Sequence, residues 1–202
     1  MLTRQNITRA IGLWLFPILI SLVSWRFIVG GVEVTMPHML YHSLERPLAF
    51  YFHVGFAPVA LALLPFQFWS NLRFRRPQVH RWLGRLYGVS ILFSGVGGLF
   101  MALGTEAGPF AAWGFGLLAV LWLAVTANAV WLATQRRISE HRVWMMRSAA
   151  LTFAAVTLRL YLPFLIMGFG FELGYSLVSW LCWVPNVLVM EWFLRRRGKQ
   201  YA

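Results

Sequence analysis

The sequence is short of charge, and of negative charge above all. Its 202 residues include no aspartate, six glutamates form the whole acidic complement, and Lys199 is the only lysine among eighteen basic residues. Charged residues make up 12% and hydrophobic residues 59%, whereas soluble domains contain about 25% and about 45–50%. A soluble chain this apolar would expose large hydrophobic patches. The composition therefore predicts a membrane protein.

The chain also lacks the residue patterns of several familiar catalytic sites. Cys182 is the only cysteine, which excludes an intrachain disulfide and a cysteine-based zinc site. There is no glycine-rich phosphate loop, no Ser-His-Asp arrangement and no pair of carboxylates, so hydrolysis and ATP-driven work are not expected. The net charge of +12 would suit nucleic acid, but it lies in short runs between apolar segments. No nucleic-acid partner is expected.

Long apolar segments predict the fold. A helix needs about 20 mostly apolar residues to cross a hydrocarbon core of about 30 Å, and six such segments lie at about 10–30, 47–70, 86–104, 110–134, 148–168 and 174–194. Their short connections favour antiparallel neighbours in one bundle. We predict an all-α, polytopic membrane helix bundle in which residues 1–202 form one domain. The first segment contains Trp14 and Pro17 and no small-residue cleavage site follows it, which favours an anchor over a cleaved signal peptide.

Positive charge predicts the orientation of these spans. Fifteen of the eighteen basic residues fall in segments 1–9, 71–85, 135–147 and 195–202, which the six spans would place on one side of the membrane. Basic segments stay on the cytoplasmic side. Both termini are therefore expected in the cytoplasm, with the basic segments against anionic lipids.

Two of the basic segments contain the same motif. Arg-Arg-x-x-x-His-Arg occurs at 75–81 and again at 136–142, and a tryptophan and an apolar span follow each copy. The segments 47–104 and 110–168 are therefore predicted to be two parallel copies of one helical hairpin. The basic residues expected at the headgroups in these copies are Arg75, Arg76, Arg81, Arg136, Arg137, Arg142 and Arg147.

The histidines of the motif, His80 and His141, are both expected at the start of an outbound helix. One interpretation is interfacial anchoring, in which the arginines bind lipid phosphates and Trp82 and Trp144 lie at headgroup depth. The other is a paired site, in which two imidazoles converge on a haem iron, a metal or a proton path. The residues alone leave both interpretations open.

Polar residues inside the predicted spans are candidates for function, because ionisable groups are destabilising in lipid. Arg159 and His53 are both expected in the outer half of the membrane, where no carboxylate is predicted. Arg159 therefore needs backbone carbonyls, water or an external anion such as a haem propionate, a lipid phosphate or an acidic substrate. The candidate ligand or cofactor-binding residues are His53, His80, His141, Arg159 and Gln67. An ordinary hydrogen bond between helices is the alternative for Gln67. Ser90 and Ser94 lie on a ridge of small residues, which predicts close packing of span three.

The first outer loop contains a weak candidate for a metal site. Thr35 is predicted to cap a short helix with Pro37 in its first turn. His38, His42 and Glu45 would then lie at i, i+4 and i+7 on one face, which suits a divalent metal. No fourth fixed ligand accompanies them. A solvated polar face is favoured, and no metal is predicted.

Two longer stretches carry a resemblance to a known family. The run from His53 through LALLPFQF to HRWLGRLYG, followed by HRVWMMRSAALTFAAVTLR, resembles the uncharacterised bacterial membrane-protein family called domain of unknown function 2306. The resemblance covers roughly residues 45–170 and implies a multi-span protein of the bacterial inner membrane. It implies no activity, and His38 and His42 lie outside its pattern. The family-typical positions that it implies are His53, Gln67, His80, Arg81, Gly84, His141, Arg142, Arg147 and Arg159.

Three functional hypotheses follow, and whether the protein is an enzyme stays open. The leading one is a haem b-binding or otherwise redox-linked membrane protein, because histidines accompany an arginine without an internal counter-ion. The second is a small permease or lipid-interacting protein, with Arg159 and His53 contacting an anionic ligand. The third is a structural subunit whose Arg-His motifs dock a partner or anionic lipid.

Overall fold

The computed structural model describes residues 14–199, and this part of the chain consists of helices joined by short turns. No strand occurs in it, so the predicted all-α class is confirmed for residues 14–199. A 3-10 helix, Pro37–Met39, precedes α3. Within this range the α-helices are α1 (Phe16–Ser24), α2 (Arg26–Thr35), α3 (Leu40–Glu45), α4 (Pro47–Phe68), α5 (Ser70–Arg75), α6 (Pro77–Leu103), α7 (Gly108–Thr134), α8 (Ile138–Thr152), α9 (Ala154–Leu181) and α10 (Val184–Lys199).

Prolines mark where the long helices begin. Pro47, Pro77 and Pro109 lie in the first turns of α4, α6 and α7, where a missing N–H removes no helical hydrogen bond. Helix α4 also contains Pro58 and Pro65 in its interior, which a membrane helix tolerates when neighbouring groups satisfy the freed carbonyls. Helix α6 begins at Pro77, nine residues before the predicted span 86–104, so the first Arg-His motif runs into its first turns.

In the described part of the chain, four segments are long and apolar enough to cross a membrane: Pro47–Phe68, Pro77–Leu103, Gly108–Thr134 and Ile138–Arg196. A fifth candidate is the bent pair of α1 and α2, whose axes differ by 62°. Only 28–39% of the residues in the most apolar windows of the four segments are buried, which leaves apolar surface for lipid. Residues 14–199 thus contain four to five candidate spans by length and composition. The first predicted span, 10–30, begins outside the described residues, and its remainder bends at Trp25.

The last of these segments, Ile138–Arg196, folds back on itself. A straight helix of its 59 residues would be roughly 88 Å long at about 1.5 Å per residue, far more than a core of about 30 Å. Gly170 has φ 77° and ψ 172°, a conformation that glycine adopts without a steric penalty. A methyl group built on Gly174 would lie 2.9 Å from the carbonyl carbon of Leu165. The chain therefore reverses at Gly170, between the fifth and sixth predicted spans.

Clustering of contacts divides the chain into two compact units, residues 1–97 and 98–202. In the first unit, α4 packs against α1 and α3 and contacts α6 through the rings of Phe52, Phe56 and Phe93. Phe50 and Tyr87 are at most 1% exposed in its core. In the second unit, α8 packs against α7 and α10, and α9 packs against α7.

Candidate functional site

In the first unit, His53 of α4 is tied to α6. Its Nδ1 lies 2.9 Å from the main-chain oxygen of Ser94. A carbonyl oxygen only accepts hydrogen bonds, so Nδ1 carries the proton, and Nε2 of the neutral ring keeps its lone pair. Gly97 allows this contact, since a methyl group built there would lie 2.9 Å from His53 N and closer still to Ala49 O.

A row of buried polar groups runs from this contact along the α4–α6 interface. On α6, Tyr87, Ser90 and Ser94 follow at i, i+3 and i+7, and each is at most 1% exposed. On α4, Gln67 is 8% exposed, and its Oε1 would lie 3.4 Å from a methyl group built on Gly84 of α6. We call His53, Gln67, Tyr87, Ser90 and Ser94 the polar seam. It contains two of the predicted site residues, His53 and Gln67.

Two atoms of the polar seam have no hydrogen-bond partner within residues 14–199. Ser94 Oγ donates to the main-chain oxygen of Ser90 at 2.7 Å. Ser90 Oγ and Gln67 Nε2 are buried with no such partner in this part of the chain. A buried polar group left unsatisfied costs about 1–3 kcal/mol. The seam thus contains one hydroxyl group and one amide group at buried positions where an apolar side chain would avoid this cost.

The two Arg-His motifs begin their helices in the same way. His80 lies in the first turn of α6, and its main-chain N donates to Arg76 O at 3.1 Å. His141 lies in the first turn of α8, and its main-chain N donates to Arg137 O at 2.9 Å. The second arginine of each motif therefore supplies the first carbonyl of the helix. Both histidines thus lie in the first turn of a helix, and the prediction that they lie at helix starts is confirmed.

His141 repeats the arrangement of His53 in the second unit. Its Nδ1 lies 2.8 Å from the main-chain oxygen of Ala129 on α7. Nδ1 again carries the proton, and Nε2 of the neutral ring keeps its lone pair. The pairings predicted from the sequence, His80 with His141 and His53 with Arg159, join residues of different units and stay predictions.

The segments that precede the two motifs differ. The short helix α5 leads to Arg76, whose φ is −136°. In the second copy α7 leads directly to Arg136, which has φ 60°, and Arg137 N bonds to Leu132 O at 3.0 Å. A left-handed residue followed by this long backbone bond is a common helix ending, but glycine usually occupies the position. The two copies thus differ before the motif, although their helix starts match.

The match to a protein-family model covers more than half of the chain and includes these features. The family described as predicted membrane protein (DUF2306) matches residues 50–194. The chain belongs to this family. No curated protein and no solved structure matches the chain. The match confirms the resemblance found in the sequence. The DUF2306 region contains the polar seam and both Arg-His motifs.

Within the DUF2306 region, arginines stack on tryptophans just after each motif. Arg85 lies over the Trp82 ring at 4.8 Å, and Arg147 lies over the Trp144 ring at 4.8 Å. Such cation–π contacts contribute about 0.5–1 kcal/mol at exposed sites. Neither pair was predicted. Its signal in the sequence is Trp-x-x-Arg, which follows both motifs of this DUF2306 chain.

Arg147 also forms an ion pair that was not predicted. Its Nε and Nη2 donate to the two carboxylate oxygens of Glu191 at 2.6 and 3.0 Å. The side chains are 29% and 30% exposed. This bidentate pair ties α8 to α10 across 44 positions of the sequence. Arg147 had been expected at the lipid headgroups.

Arg159 bonds to its own helix. Its Nη1 donates to Ala155 O at 3.0 Å, one of the carbonyl partners expected from the sequence. Other polar groups at depth bond between helices, as expected for membrane spans. Thr126 bonds to Ser148 at 2.7 Å, and Asn186 Nδ2 donates to Thr157 at 2.8 Å.

The outer-loop cluster precedes the DUF2306 region and does not form the expected helical face. Thr35 ends α2, and its hydroxyl donates to Gly31 O at 2.6 Å instead of capping a following helix. Because α3 begins only at Leu40, His38 and His42 lie on different elements. Within residues 14–199 no group of three or more His, Cys, Asp or Glu could hold a metal ion. The predicted helix from Thr35 is therefore wrong.

His42 is buried, whereas His38 and Glu45 of the same loop are exposed. The His42 side chain is 2% exposed, and its Nδ1 has no hydrogen-bond partner within residues 14–199. Burial, and then the nearby Arg46, lower the pKa of His42 to about 4. By contrast Glu45 is exposed and pairs with Arg46 at 2.7 Å. His42 is therefore a neutral core residue at pH 7 rather than part of a solvated face.

Proposed function

We propose that the chain crosses the bacterial inner membrane six times, with both termini in the cytoplasm and two parallel hairpins at 47–104 and 110–168. The reversal at Gly170 supports separate fifth and sixth crossings. The matching helix starts at His80 and His141 support the parallel hairpins. Fifteen basic residues in four segments support the orientation.

Alkaline phosphatase fusions test this topology, because the enzyme is active only outside the cytoplasm. Fusions after Glu106 and Gly170 should be active, whereas fusions after Arg76 and Arg137 should be inactive. Equal activity at Arg137 and Gly170 would remove the fifth crossing, and the reverse pattern would invert the orientation.

The proposed function of this membrane protein is a redox-linked site in which histidines bind a haem b iron through Nε2. The observation that carries this function is the Nδ1 hydrogen bond of His53 and of His141 to a carbonyl of the neighbouring helix. Histidines that bind metals nearly always donate their other ring N–H in this way, which fixes the tautomer and orients the ring. Haem needs only one or two axial ligands, so it does not require a cluster of three metal ligands.

Each histidine would bind the iron at Nε2 while its helix pair holds the ring in place. Both side chains are half-buried. Haem, when bound, would supply one-electron chemistry. The residues themselves contribute ligation and the orientation of the ring.

An optical spectrum of protein purified after expression with adequate haem tests this function. We expect a Soret band, and a weaker band or none in His53→Ala or His141→Ala. His38→Ala is the matched control, because His38 is exposed and precedes the DUF2306 region. A protein without a Soret band, or an unchanged band in both variants, would contradict haem binding.

A second candidate function is binding of an anionic ligand at the end of α10. A recess of about 380 Å³ is lined by Leu188, Glu191, Trp192, Arg195 and Arg196. Arg196 stacks on Trp192 at 4.0 Å, so an arginine and an aromatic ring are already oriented. Basic sites at the ends of spans suit phosphate headgroups. Arg195→Gln with Arg196→Gln should reduce retention of phosphatidylglycerol through purification, while Arg46→Gln should not.

A further inference from the structure

The polar seam runs along much of the length of a membrane span. His53 and Gln67 lie fourteen residues apart on α4, roughly 21 Å at about 1.5 Å per residue. Between these depths, Tyr87, Ser90 and Ser94 line one face of α6, with His80 at the start of the same helix. The seam would thus cover about two thirds of a core of about 30 Å.

The two unpartnered atoms of the seam require an explanation in a membrane. Ser90 is 0% exposed and Gln67 is 8% exposed, and neither Ser90 Oγ nor Gln67 Nε2 has a hydrogen-bond partner within residues 14–199. Lipid offers no hydrogen bonds to such groups. Buried polar groups without a protein partner are normally satisfied by ordered water. Gly84 lies opposite Gln67 and has no side chain, so the two helices can lie close together beside this polar group.

We propose that ordered water molecules bound to Ser90 Oγ and Gln67 Nε2 join Tyr87 in a proton-conducting path along the α4–α6 interface. Each hydroxyl or water oxygen accepts a proton on a lone pair and releases the proton that it already carries, so one proton moves and each group is restored. His53 takes no part in the path, since its Nε2 is the proposed haem ligand and its Nδ1–H bonds to a carbonyl that cannot pass the proton on. This path does not depend on haem.

Radiolytic labelling by hydroxyl radicals tests for the water. Radicals form wherever water lies, so a buried side chain is labelled when ordered water is beside it. Tyr87 is 1% exposed and should be labelled, whereas Phe50, an aromatic residue of the same core at 0% exposure, should not. Labelling of Tyr87 should fall severalfold in the Gln67→Leu/Ser90→Ala double variant. Equal protection of Tyr87 and Phe50 would overturn the proposal.

Proton flux tests conduction in vesicles that contain a trapped pH-sensitive dye. A potassium diffusion potential should drive proton uptake several times faster with the parent protein than in empty vesicles. The double variant should return to the rate of empty vesicles. Ser21→Ala should match the parent, because Ser21 is also buried but its hydroxyl bonds to Pro17 O of its own helix. A parent no faster than empty vesicles, or a double variant as fast as the parent, would overturn conduction.

Discussion

Replacing Gly97 by alanine should separate α4 from α6. A methyl group built on Gly97 would lie 2.9 Å from His53 N and closer to Ala49 O, and both of these atoms belong to backbone that cannot rotate away. Overpacking of this kind destabilises by about 1–3 kcal/mol. Moving α4 away would also lengthen the hydrogen bond from His53 Nδ1 to Ser94 O, which is 2.9 Å.

Gly55→Ala is the matched control on the same helix pair. No atom would lie within 4 Å of a methyl group at Gly55, so the change should stabilise α4 by about 0.5–1 kcal/mol through helix propensity. Gly97→Ala gains the same helix propensity, so the two alanine variants should differ by the cost of overpacking, about 1–3 kcal/mol in the free energy of unfolding. Thermal unfolding in detergent, followed by circular dichroism, measures the difference. If Gly97→Ala is as stable as Gly55→Ala, the close approach at His53 is wrong.

Three further changes should affect stability in ways that the same unfolding assay resolves. Glu191→Gln should cost about 1–3 kcal/mol, because it breaks a half-buried bidentate pair with Arg147, whereas Glu140→Gln breaks an exposed pair and should cost measurably less. Equal losses would contradict the difference in burial. The pKa of His42, lowered to about 4, means that the unfolded state binds the proton more readily. Stability should therefore be full above pH 6.5 and fall by about 1.4 kcal/mol per pH unit between 6.5 and 4, and His42→Gln should flatten this dependence. Arg136→Gly should stabilise by up to about 1 kcal/mol, because φ is 60° at that position, and a loss of stability there would count against the left-handed turn.

Hydropathy predicted the long helices well because lipid-facing segments need no pattern beyond length and apolarity. The predicted 47–70 and 110–134 compare with helices Pro47–Phe68 and Gly108–Thr134. The predicted span 86–104 leaves out the first nine residues of helix α6, Pro77–Leu103. Hydropathy does not detect them, because a helix continues into the headgroup region, where its residues are basic. Hydropathy also cannot detect the bend at Trp25, which depends on contacts of α1 and α2.

The individual contacts of the site were less predictable. His53 and Gln67 were identified because they are polar residues in apolar spans, but their partners Ser94 and Gly84 lie on another helix. The pair of Arg147 and Glu191 joins residues 44 positions apart, and no local pattern indicates it. His42 was misassigned to a solvated face, because the assumed helix began at Thr35 rather than at Leu40.

Haem content of the purified protein tests the central claim most directly, which is that His53 and His141 present Nε2 as a ligand. A haemochrome assay should find haem in a fixed proportion to protein in the parent and in His38→Ala. The proportion should drop in His53→Ala, in His141→Ala or in both, with unfolding temperatures within a few degrees of the parent's. Parent protein that contains no haem, or both alanine variants with the full proportion, would contradict the claim.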